Sequence, residues 1–298
     1  MASPSDETQW RPIRGTDPFR FKDARLQAHH ALQWLARVAR AYIPPQPDDG
    51  HTCLHWDSEL DGFATQTFGG GARLLLQVPT LMLALRSAEE TAGAQGLALD
   101  GQTDAQVLQW LHKQFEVRGI FSSMLDAPAP YEIPMHAIGR GSAYETRTAA
   151  DGLANLAAWY ANAAALLEKV RGQIATQSLA SSPLCCWPHH FDLATLTMLP
   201  IGQSAKFGLI GVGLSPGDEY YDEPYFYVSV YPDPNTATLP PLPAIGHWRT
   251  ADFTAAVATA DKIIAAKDPQ IATGIFLHGA VEASLRLLGR ASRGRSIP

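Results

Sequence analysis

The same order of elements is predicted twice along this chain, and this repeat constrains the fold more than any other feature. In the first half, an apolar stripe over 23–42 predicts a helix. Strand-like runs follow between 55 and 85, broken by glycines and a proline. Thr103 and Gln106 then form a capping box that predicts the start of a second helix.

The second half of the chain has the same order. An apolar stripe over 151–171 predicts a helix. Strand-like runs follow it at 184–199, 207–213 and 225–231. Thr250 predicts the start of a helix that reaches Ile264, and Asp268 with Pro269 predicts one further helix to about Leu288.

Short sequence matches support a duplication. Trp34 and Trp159 lie at similar places in the two leading helices, and the stretch 56–61 aligns with 187–192 without a gap. We therefore predict an α+β fold made of two duplicated α-β-β-β-α modules with antiparallel sheets, plus an extra C-terminal helix. The predicted organisation is an N-terminal arm (1–22), a first module (23–117), a connector (118–150) and a second module with the C-terminal helix (151–298).

The stretch 184–195 contains two histidines, two cysteines and an aspartate within an apolar run. If this stretch is one β-strand, its side chains alternate between two faces. Cys186, His190 and Asp192 then share a polar face, while His189 faces the core with its apolar neighbours. The duplication makes Glu59 and Asp61 the counterparts of His190 and Asp192.

A histidine and several carboxylates in one cleft suit two kinds of chemistry. One is an acid–base pair in which a carboxylate orients an imidazole, and the other is a divalent metal bound through nitrogen and oxygen. No spacing in the sequence specifies a metal. The alternative is structural, with His190 as a hydrogen-bonded core residue and Asp192 as a turn cap.

A second candidate is the stretch 215–228, in which four carboxylates follow a Pro-Gly turn. Glu223, Tyr225 and Tyr227 are predicted to lie on one face of a strand, where phenols beside a carboxylate can line a polar pocket. The alternative is a solvated loop followed by an amphipathic strand whose tyrosines cover a sheet.

Composition excludes several classes of protein. The formal net charge of −6 gives no basic surface for nucleic acid, and no apolar run approaches the ~20 residues of a membrane span. The N-terminus lacks a signal-peptide pattern, so a soluble, cytoplasmic protein is predicted. Charged residues make up only 17% of the chain, so the surface is lightly charged or partly buried in an oligomer, for which we expect a homodimer.

The chain has three cysteines, an odd number, and two of them are adjacent. Adjacent cysteines rarely bridge, so free thiols in a reducing compartment are the simplest expectation. Cys185 and Cys186 are then inert core residues or, alternatively, a nucleophile or soft-metal ligand activated by His190.

Three motifs together resemble an uncharacterised bacterial protein family of unknown function. They are Trp-Pro-x-His-Phe-Asp at 187–192, Ser-Pro-Gly-Asp-Glu at 215–219 and Glu-Pro-Tyr-x-Tyr-Val at 223–228. The similarity extends over most of the chain and includes 48–52 and 130–136. A looser similarity, at 191–194 and the C-terminal helices, is to a second bacterial domain family of unknown function. Neither resemblance implies an activity, but the first implies that the three motifs form one unit.

The function predicted from these features is a small-molecule enzyme, metal-assisted or metal-free, with its site in a cleft between the modules. Its predicted catalytic residues are His190, Asp192 and Glu223, which would also be the ligands of a metal. The predicted ligand-binding residues are Tyr225, Tyr227, Glu59 and Asp61. The alternative is a non-catalytic ligand-binding or assembly protein with structural histidines, which an exposed patch of Tyr225, Tyr227 and Tyr231 would favour.

Overall fold

The structure is a computed structural model that describes residues 10–15, 17–87, 96–177, 179–201 and 206–289. It confirms the α+β class with antiparallel sheets, and its two sheets are consistent with a duplicated module. By contacts, the chain divides into two compact units. We call Pro12–Ala161 with Cys185–Asp192 the N-terminal unit, and Met1–Arg11, Asn162–Leu184 and Leu193–Pro298 the C-terminal unit. The domain boundaries predicted from the sequence stay predictions.

The N-terminal unit is built from α-helices and a meander of short strands. Its strands β1 to β5 pair in sequence order, each antiparallel to the next. Its helices are α1 (Pro18–Tyr42), α2 (Asp104–Val117) and the first part of α3 (Ala150–Thr176). Its strands are β1 (His55–Asp57), β2 (Gly62–Ala64), β3 (Arg73–Gln77), β4 (Met82–Arg86), β5 (Leu97–Ala98) and β6 (Cys185–Trp187).

Helix α1 begins earlier than the sequence pattern predicted. Asp17 is the N-cap, since its carboxylate accepts hydrogen bonds from the backbone N–H groups of Phe19 and Arg20. Pro18 occupies the first turn, where its missing N–H costs nothing. Residues 18–22 of the predicted arm are therefore helical, whereas residues 1–9 and 16 of that arm lie outside the described residues.

Helices α1 and α3 approach each other closely at a glycine. A Cβ atom on Gly152 would lie 2.6 Å from the Cβ of Ala24 and 3.0 Å from the carbonyl oxygen of Arg20. The site therefore excludes any larger residue. The close approach brings Tyr160, two turns further along α3, into a buried aromatic cluster with Phe63 and Phe191.

In the C-terminal unit, α5 covers one face of an antiparallel sheet. The strands follow the order β10-β11-β9-β8-β7, with buried residues such as Val212, Phe226 and Val228 beneath the helix residues Phe276 and Ala280. The strands are β7 (Asp192–Ile201), β8 (Lys206–Ser215), β9 (Tyr225–Tyr231), β10 (His247–Arg249) and β11 (Ala255–Thr259). The helices of this unit are the later part of α3, α4 (Ala260–Ile264) and α5 (Pro269–Leu287).

Each sheet has more strands than the three predicted per module. The run around Pro79 is a hairpin of β3 and β4, not one broken strand. The segment 255–259 was predicted as part of a helix from Thr250 but is strand β11. Its residues Ala255 to Thr259 pair antiparallel with 225–229 of β9, which provides the backbone hydrogen bonds that a helix would otherwise supply.

The turns that follow β1 and β6 show where the proposed repeat is out of register. Both turns have four residues, and the last residue of each has a positive φ, which is 53° at Asp61 and 60° at Phe191. The structural counterpart of Asp61 is therefore Phe191, not Asp192. The gap-free alignment is wrong by one residue here, so Glu59 corresponds to His189.

Among the helices of the described ranges, none is both long enough and apolar enough to cross a membrane.

Candidate functional site

The N-terminal unit contains an open cleft of about 650 Å³ at the end of β6. Its lining comes from α1, from the loop before β1, from the connector and from the turn after β6. The lining residues are Arg40, Asp48, Asp49, His51, Thr52, Pro130, Tyr131, Trp187, His189, His190 and Asp192. Two predicted catalytic residues, His190 and Asp192, thus lie in one cleft that belongs to a single unit.

The stretch 184–195 is not one continuous strand, so the predicted alternation of its faces is wrong. Strand β6 ends at Trp187, residues 188–191 form a turn, and β7 starts at Asp192. The carbonyl oxygen of Trp187 closes the turn by accepting hydrogen bonds from the N–H groups of His190 (3.2 Å) and Phe191 (2.7 Å). Both His189 and His190 are exposed as a result, although His189 was predicted to face the core.

Side chains of two helices hold this turn in place. The side-chain N–H groups of His29 and Gln33 on α1 each donate a hydrogen bond of 2.8 Å to the carbonyl oxygen of Pro188. The hydroxyl of Tyr160 on α3 donates one of 2.5 Å to the carbonyl oxygen of Phe191. The Phe191 ring, 1% exposed, stacks on His29 at a centroid distance of 5.0 Å. These contacts hold Phe191 at a positive φ that a bulky residue rarely adopts.

The opposite wall of the cleft is the loop that precedes β1. The Asp48 carboxylate accepts a hydrogen bond from the Gly50 N–H, which tightens the loop. Nδ1 of the buried His51 accepts a hydrogen bond from the Gln46 N–H at 3.2 Å. Because Nδ1 is the acceptor, neutral His51 carries its proton on Nε2.

Aromatic and cationic groups form a continuous layer along the cleft. The Arg40 guanidinium lies 5.5 Å from the Tyr131 ring centroid and donates to the Tyr131 hydroxyl at 3.2 Å. The Tyr131 ring lies 5.6 Å from His189, and the rings of His189 and His190 are 4.1 Å apart. Within the described residues, Arg40 makes no ion pair with a carboxylate, so its charge is available to a ligand.

The surroundings shift several of these pKa values. Partial desolvation of the His189 ring, together with the neighbouring His190, lowers the pKa of His189, so this exposed imidazole is biased toward its neutral form. Burial also raises the pKa of Tyr131, which keeps its hydroxyl protonated as a donor to Gln33. Cys186 is fully buried, and burial with the nearby Asp192 raises the pKa of its thiol well above 9. The thiolate nucleophile considered for Cys186 is therefore disfavoured.

Cys53 and Cys185 form a disulfide next to the cleft, with their Cα atoms 5.2 Å apart. The expectation of three free thiols is therefore wrong, since Cys186 alone is free. The expectation failed because it considered only adjacent cysteines, whereas the backbone pairing of Leu54 with Cys186 brings the distant Cys53 beside Cys185. The disulfide and this pairing join the loop wall of the cleft to β6.

The other candidates of the N-terminal unit do not line the cleft. Glu59 is exposed in the turn after β1, where the Asp57 carboxylate accepts hydrogen bonds from the N–H groups of Glu59 and Leu60. Asp61 ends this turn at a positive φ, a conformation that aspartate tolerates better than most residues. Their predicted role in ligand binding stays a prediction.

The predicted residues Glu223, Tyr225 and Tyr227 belong to the C-terminal unit. Oε2 of Glu223 accepts a hydrogen bond of 2.7 Å from the Asp261 N–H in the first turn of α4, which caps that helix end. Burial raises the pKa of the half-buried Glu223 carboxyl, and the nearby Asp261 carboxylate adds to this shift. Tyr225 is buried and Tyr227 is half-buried, while Tyr231 is exposed, so the three tyrosines do not form one exposed patch.

Asp218 organises the acidic loop of the C-terminal unit. Its carboxylate accepts hydrogen bonds from the hydroxyls of Ser215 and Tyr225 and from the N–H groups of Tyr220 and Tyr221. The Ser-Pro-Gly-Asp-Glu motif thus has a structural explanation, with Gly217 at the positive φ of 108° that the turn requires.

A metal at His190, Asp192 and Glu223 finds no support in the structure. Within the part of the chain that is described, no group of three or more His, Cys, Asp or Glu side chains is arranged to hold a metal ion.

Reasoning from single stretches missed Arg40, His51, Tyr131 and His189 as cleft residues. His51 and Tyr131 lie within 48–52 and 130–136, two of the segments in which the chain resembles an uncharacterised family. That resemblance was the only signal in the sequence that pointed to them. Arg40 lies at the end of the amphipathic helix α1 and has no distinguishing local pattern.

Comparisons with known proteins add no relative. No family model matches the chain, and neither a curated protein nor a solved structure matches it. The resemblance to an uncharacterised bacterial family stays a prediction.

Proposed function

We propose that this protein is a small-molecule enzyme whose site is the cleft of the N-terminal unit. The observation that carries the proposal is the cleft itself, where two adjacent exposed imidazoles, Asp192 and the Arg40 guanidinium border a layer of aromatic rings. Within the described part of the chain, this guanidinium makes no ion pair with a carboxylate. Convergent polar groups beside aromatic surface are typical of small-ligand sites.

The ligand class follows from the lining. Arg40 offers planar donors that suit a carboxylate, and the rings of Tyr131 and Trp187 offer surface for a planar group. We therefore propose an organic acid with a planar or aromatic part. The three aspartates make a ligand of multiple negative charge unfavourable.

His190 is the proposed acid–base residue, because imidazole exchanges protons near neutral pH and this ring is exposed to the cleft. Asp192, half-buried in the same lining, is the carboxylate proposed to act with it. The Glu223 carboxylate caps one end of α4, so we do not include it among the catalytic residues. We propose the metal-free form of the reaction.

Ligand-observed NMR with a library of aromatic and aliphatic carboxylic acids tests this proposal. Arg40→Gln should abolish the binding of hits or weaken it by about tenfold, which is the loss of one charge-assisted hydrogen bond. His190→Ala should leave a hit bound but abolish turnover in a product assay. His278→Ala is the matched control, because His278 is exposed on α5 of the C-terminal unit. Hits that bind the Arg40→Gln chain as tightly as they bind the wild type would refute the proposed site.

An assembly role is the second candidate, and an exposed apolar sheet face supports it. Met198, Leu209 and Tyr231 lie in one row across β7, β8 and β9, with Leu196 and Phe207 on the same two hairpin strands. Met198, Phe207 and Tyr231 are each more than half exposed. These apolar side chains can pack against the same side chains of a second copy, so the expected oligomer is a homodimer.

Light scattering during size-exclusion chromatography decides this second candidate. Met198→Glu should convert a dimer to a monomer, whereas Met135→Glu should not, because Met135 is exposed in the connector away from any strand. A wild-type monomer at about 100 μM would remove the proposal, since a specific interface of standard size is populated at that concentration.

The cytoplasmic location and the lack of a nucleic-acid partner stay predictions. The Cys53–Cys185 disulfide favours an oxidising compartment, because structural disulfides are rare in the cytosol. Alkylation of the protein in lysed cells, followed by mass spectrometry, would show whether the two thiols are free where the protein resides.

A further inference from the structure

A serine, a histidine and an aspartate form a hydrogen-bonded chain beside the C-terminal half of α2. Nδ1 of His112 lies 2.8 Å from the Ser122 hydroxyl oxygen, and Nε2 of His112 lies 3.2 Å from a carboxylate oxygen of Asp126. All three residues belong to the N-terminal unit, and none of them lines the cleft described above. They form a second cluster of groups that can exchange protons.

The directions of the two hydrogen bonds follow from the chemistry of the groups. A carboxylate only accepts, so Nε2 of His112 carries the proton and donates to Asp126. The neutral ring then has its free electron pair on Nδ1, which accepts the hydrogen bond from the Ser122 hydroxyl. The three side chains are thus arranged as a nucleophile, a base and a carboxylate that orients the base.

A reversal of the chain after α2 brings the three side chains together. The Ile120 N–H donates a hydrogen bond of 2.9 Å to the carbonyl oxygen of Phe115, and Gly119 between them has a φ of 66°. This is the Schellman pattern, in which a glycine ends a helix and redirects the chain. As a result, Ser122 reaches the side chain of His112, ten positions before it in the sequence.

The backbone around Ser122 is held on both sides. The hydroxyl of Tyr42 on α1 donates a hydrogen bond of 2.7 Å to the carbonyl oxygen of Phe121. Leu125 is fully buried, and its N–H donates to the Ser122 carbonyl oxygen at 3.0 Å. Ser122 itself is half-buried, and the His112 side chain is 33% exposed. The nucleophile and its base are therefore fixed in place and still open to a substrate.

Exposed apolar side chains lie along the same stretch of the chain. Val117, Phe121 and Met124 are each more than half exposed. An apolar acyl chain laid along them would remove this surface from water, which is favourable. The group that leaves must depart easily, because the site is open to water and offers the reaction no enclosed environment. An ester, which releases an alcohol, meets this need better than an amide, which releases an amine.

We propose that Ser122, His112 and Asp126 form a hydrolytic site for esters with an apolar acyl chain. Oγ of Ser122 attacks the ester carbonyl carbon while Nδ1 of His112 takes the hydroxyl proton. The bond from this carbon to the alkoxy oxygen breaks, and the proton passes from Nδ1 to the departing alcohol. Water then attacks the acyl group in the same way, which releases the acid and restores the Ser122 hydroxyl.

Asp126 contacts no reacting atom in this scheme, so it is a positioning residue that acts through His112. The site is independent of the small-molecule cleft, because the two share no residue. Loss of activity at either site would leave the other unaffected, so the two proposals are tested separately.

Covalent labelling of the full wild-type chain tests the nucleophile without any variant. In an octyl fluorophosphonate, Oγ of Ser122 would displace fluoride from phosphorus, with the hydroxyl proton taken by His112, and form a stable phosphonyl ester. Intact mass spectrometry followed by peptide mapping locates the label. We expect one label per chain, on Ser122. No label, or a label on a different residue, would overturn the proposal.

Variants at two adjacent serines sharpen this measurement. Ser122→Ala should abolish labelling, whereas Ser123→Ala, the matched control at the neighbouring exposed serine, should label at the wild-type rate. His112→Ala should slow the labelling by about a hundredfold, which is a typical contribution of a general base. Circular dichroism checks that each variant is folded. A folded His112→Ala chain that labels at the wild-type rate would show that His112 is not the base.

Hydrolysis of p-nitrophenyl butyrate, followed by absorbance, tests the complete reaction. Ser122→Ala should abolish it, and His278→Ala, at an exposed position on α5, should not change it. Asp126→Ala should lower kcat about tenfold and leave KM unchanged, because the variant loses one charge-assisted hydrogen bond that orients His112 and no contact with the ester. Full hydrolysis by the Ser122→Ala chain would assign the activity to imidazole groups alone and overturn the proposal.

Discussion

The hydroxyl of Tyr160 donates a hydrogen bond of 2.5 Å to the carbonyl oxygen of Phe191, the residue that ends the turn carrying His189 and His190. Tyr160 is completely buried, and burial raises the pKa of its hydroxyl well above 10, so it remains a donor at any ordinary pH. This hydrogen bond thus connects α3 to the turn that presents the candidate catalytic side chains.

Tyr160→Phe should destabilise the protein by about 1–3 kcal/mol, because the Phe191 carbonyl would lose its buried donor. Urea denaturation followed by circular dichroism measures the change. The matched control is Tyr231→Phe, because Tyr231 is exposed and its hydroxyl should contribute little. Equal stability of the Tyr160 and Tyr231 variants would mean that the bond does not support the turn.

The buried His29 should make stability depend on pH. Burial lowers the pKa of His29 from 6.5 to about 4, and the nearby His30, Arg25 and His190 act in the same direction. Between these values the unfolded chain binds a proton that the folded chain does not, so stability is full above pH 6.5 and falls as the pH drops toward 4.

The expected loss between pH 7.5 and pH 5 is about 2 kcal/mol from this one group. His29→Gln should flatten that part of the profile while lowering stability at pH 7.5, and His278→Gln, at an exposed position, should leave the slope unchanged. Urea denaturation at the two pH values provides the measurement. A His29→Gln chain with the wild-type slope would show that another group causes the dependence.

Features with a local cause could be predicted from the sequence. The capping box of Thr103 and Gln106 and the start of α5 at Asp268 and Pro269 are both present, because capping depends on residues only three positions apart. The α+β class followed in the same way from the apolar stripes that indicate helices and the alternating runs that indicate strands. The helix predicted for the segment 255–259 was wrong because its alanines suit a helix, while its pairing with β9 depends on residues about thirty positions away.

The cleft could be predicted only in part, because it is assembled from distant segments. The clustered residues of 184–195 drew attention to His190 and Asp192, and both line it. The turn at 188–191 was missed because its alternation of polar and apolar residues resembles a strand. Phe191 adopts its positive φ through contacts with His29 and Tyr160, which no neighbouring residue in the sequence reveals.

The disulfide predicts a specific thiol count. In denaturant without reductant, one thiol per chain should react with Ellman's reagent, that of Cys186, and three should react after reduction. Cys53→Ser should lower the free energy of unfolding by about 2–4 kcal/mol, because the bridge closes a long loop in the unfolded chain. With reductant present, the variant and the wild type should become nearly equally stable. Three reactive thiols before reduction would show that the bridge does not form.

The Asn155 amide accepts a hydrogen bond from the Arg14 N–H at 2.9 Å and donates one to the Arg14 carbonyl at 2.5 Å, and this pair of bonds should protect the chain from trypsin at one peptide bond. Trypsin cleaves after Arg14 but not after Arg11, which precedes a proline, so the cut at 14–15 reports release of the segment before α1. Asn155→Ala removes both hydrogen bonds to Arg14, and a loss of about 1.4 kcal/mol would raise the open population and the cleavage rate about tenfold. Mass spectrometry of the early digest gives the rate, with Asn235→Ala as the control. Cleavage at the wild-type rate in the Asn155→Ala chain would show that the segment is held by other contacts.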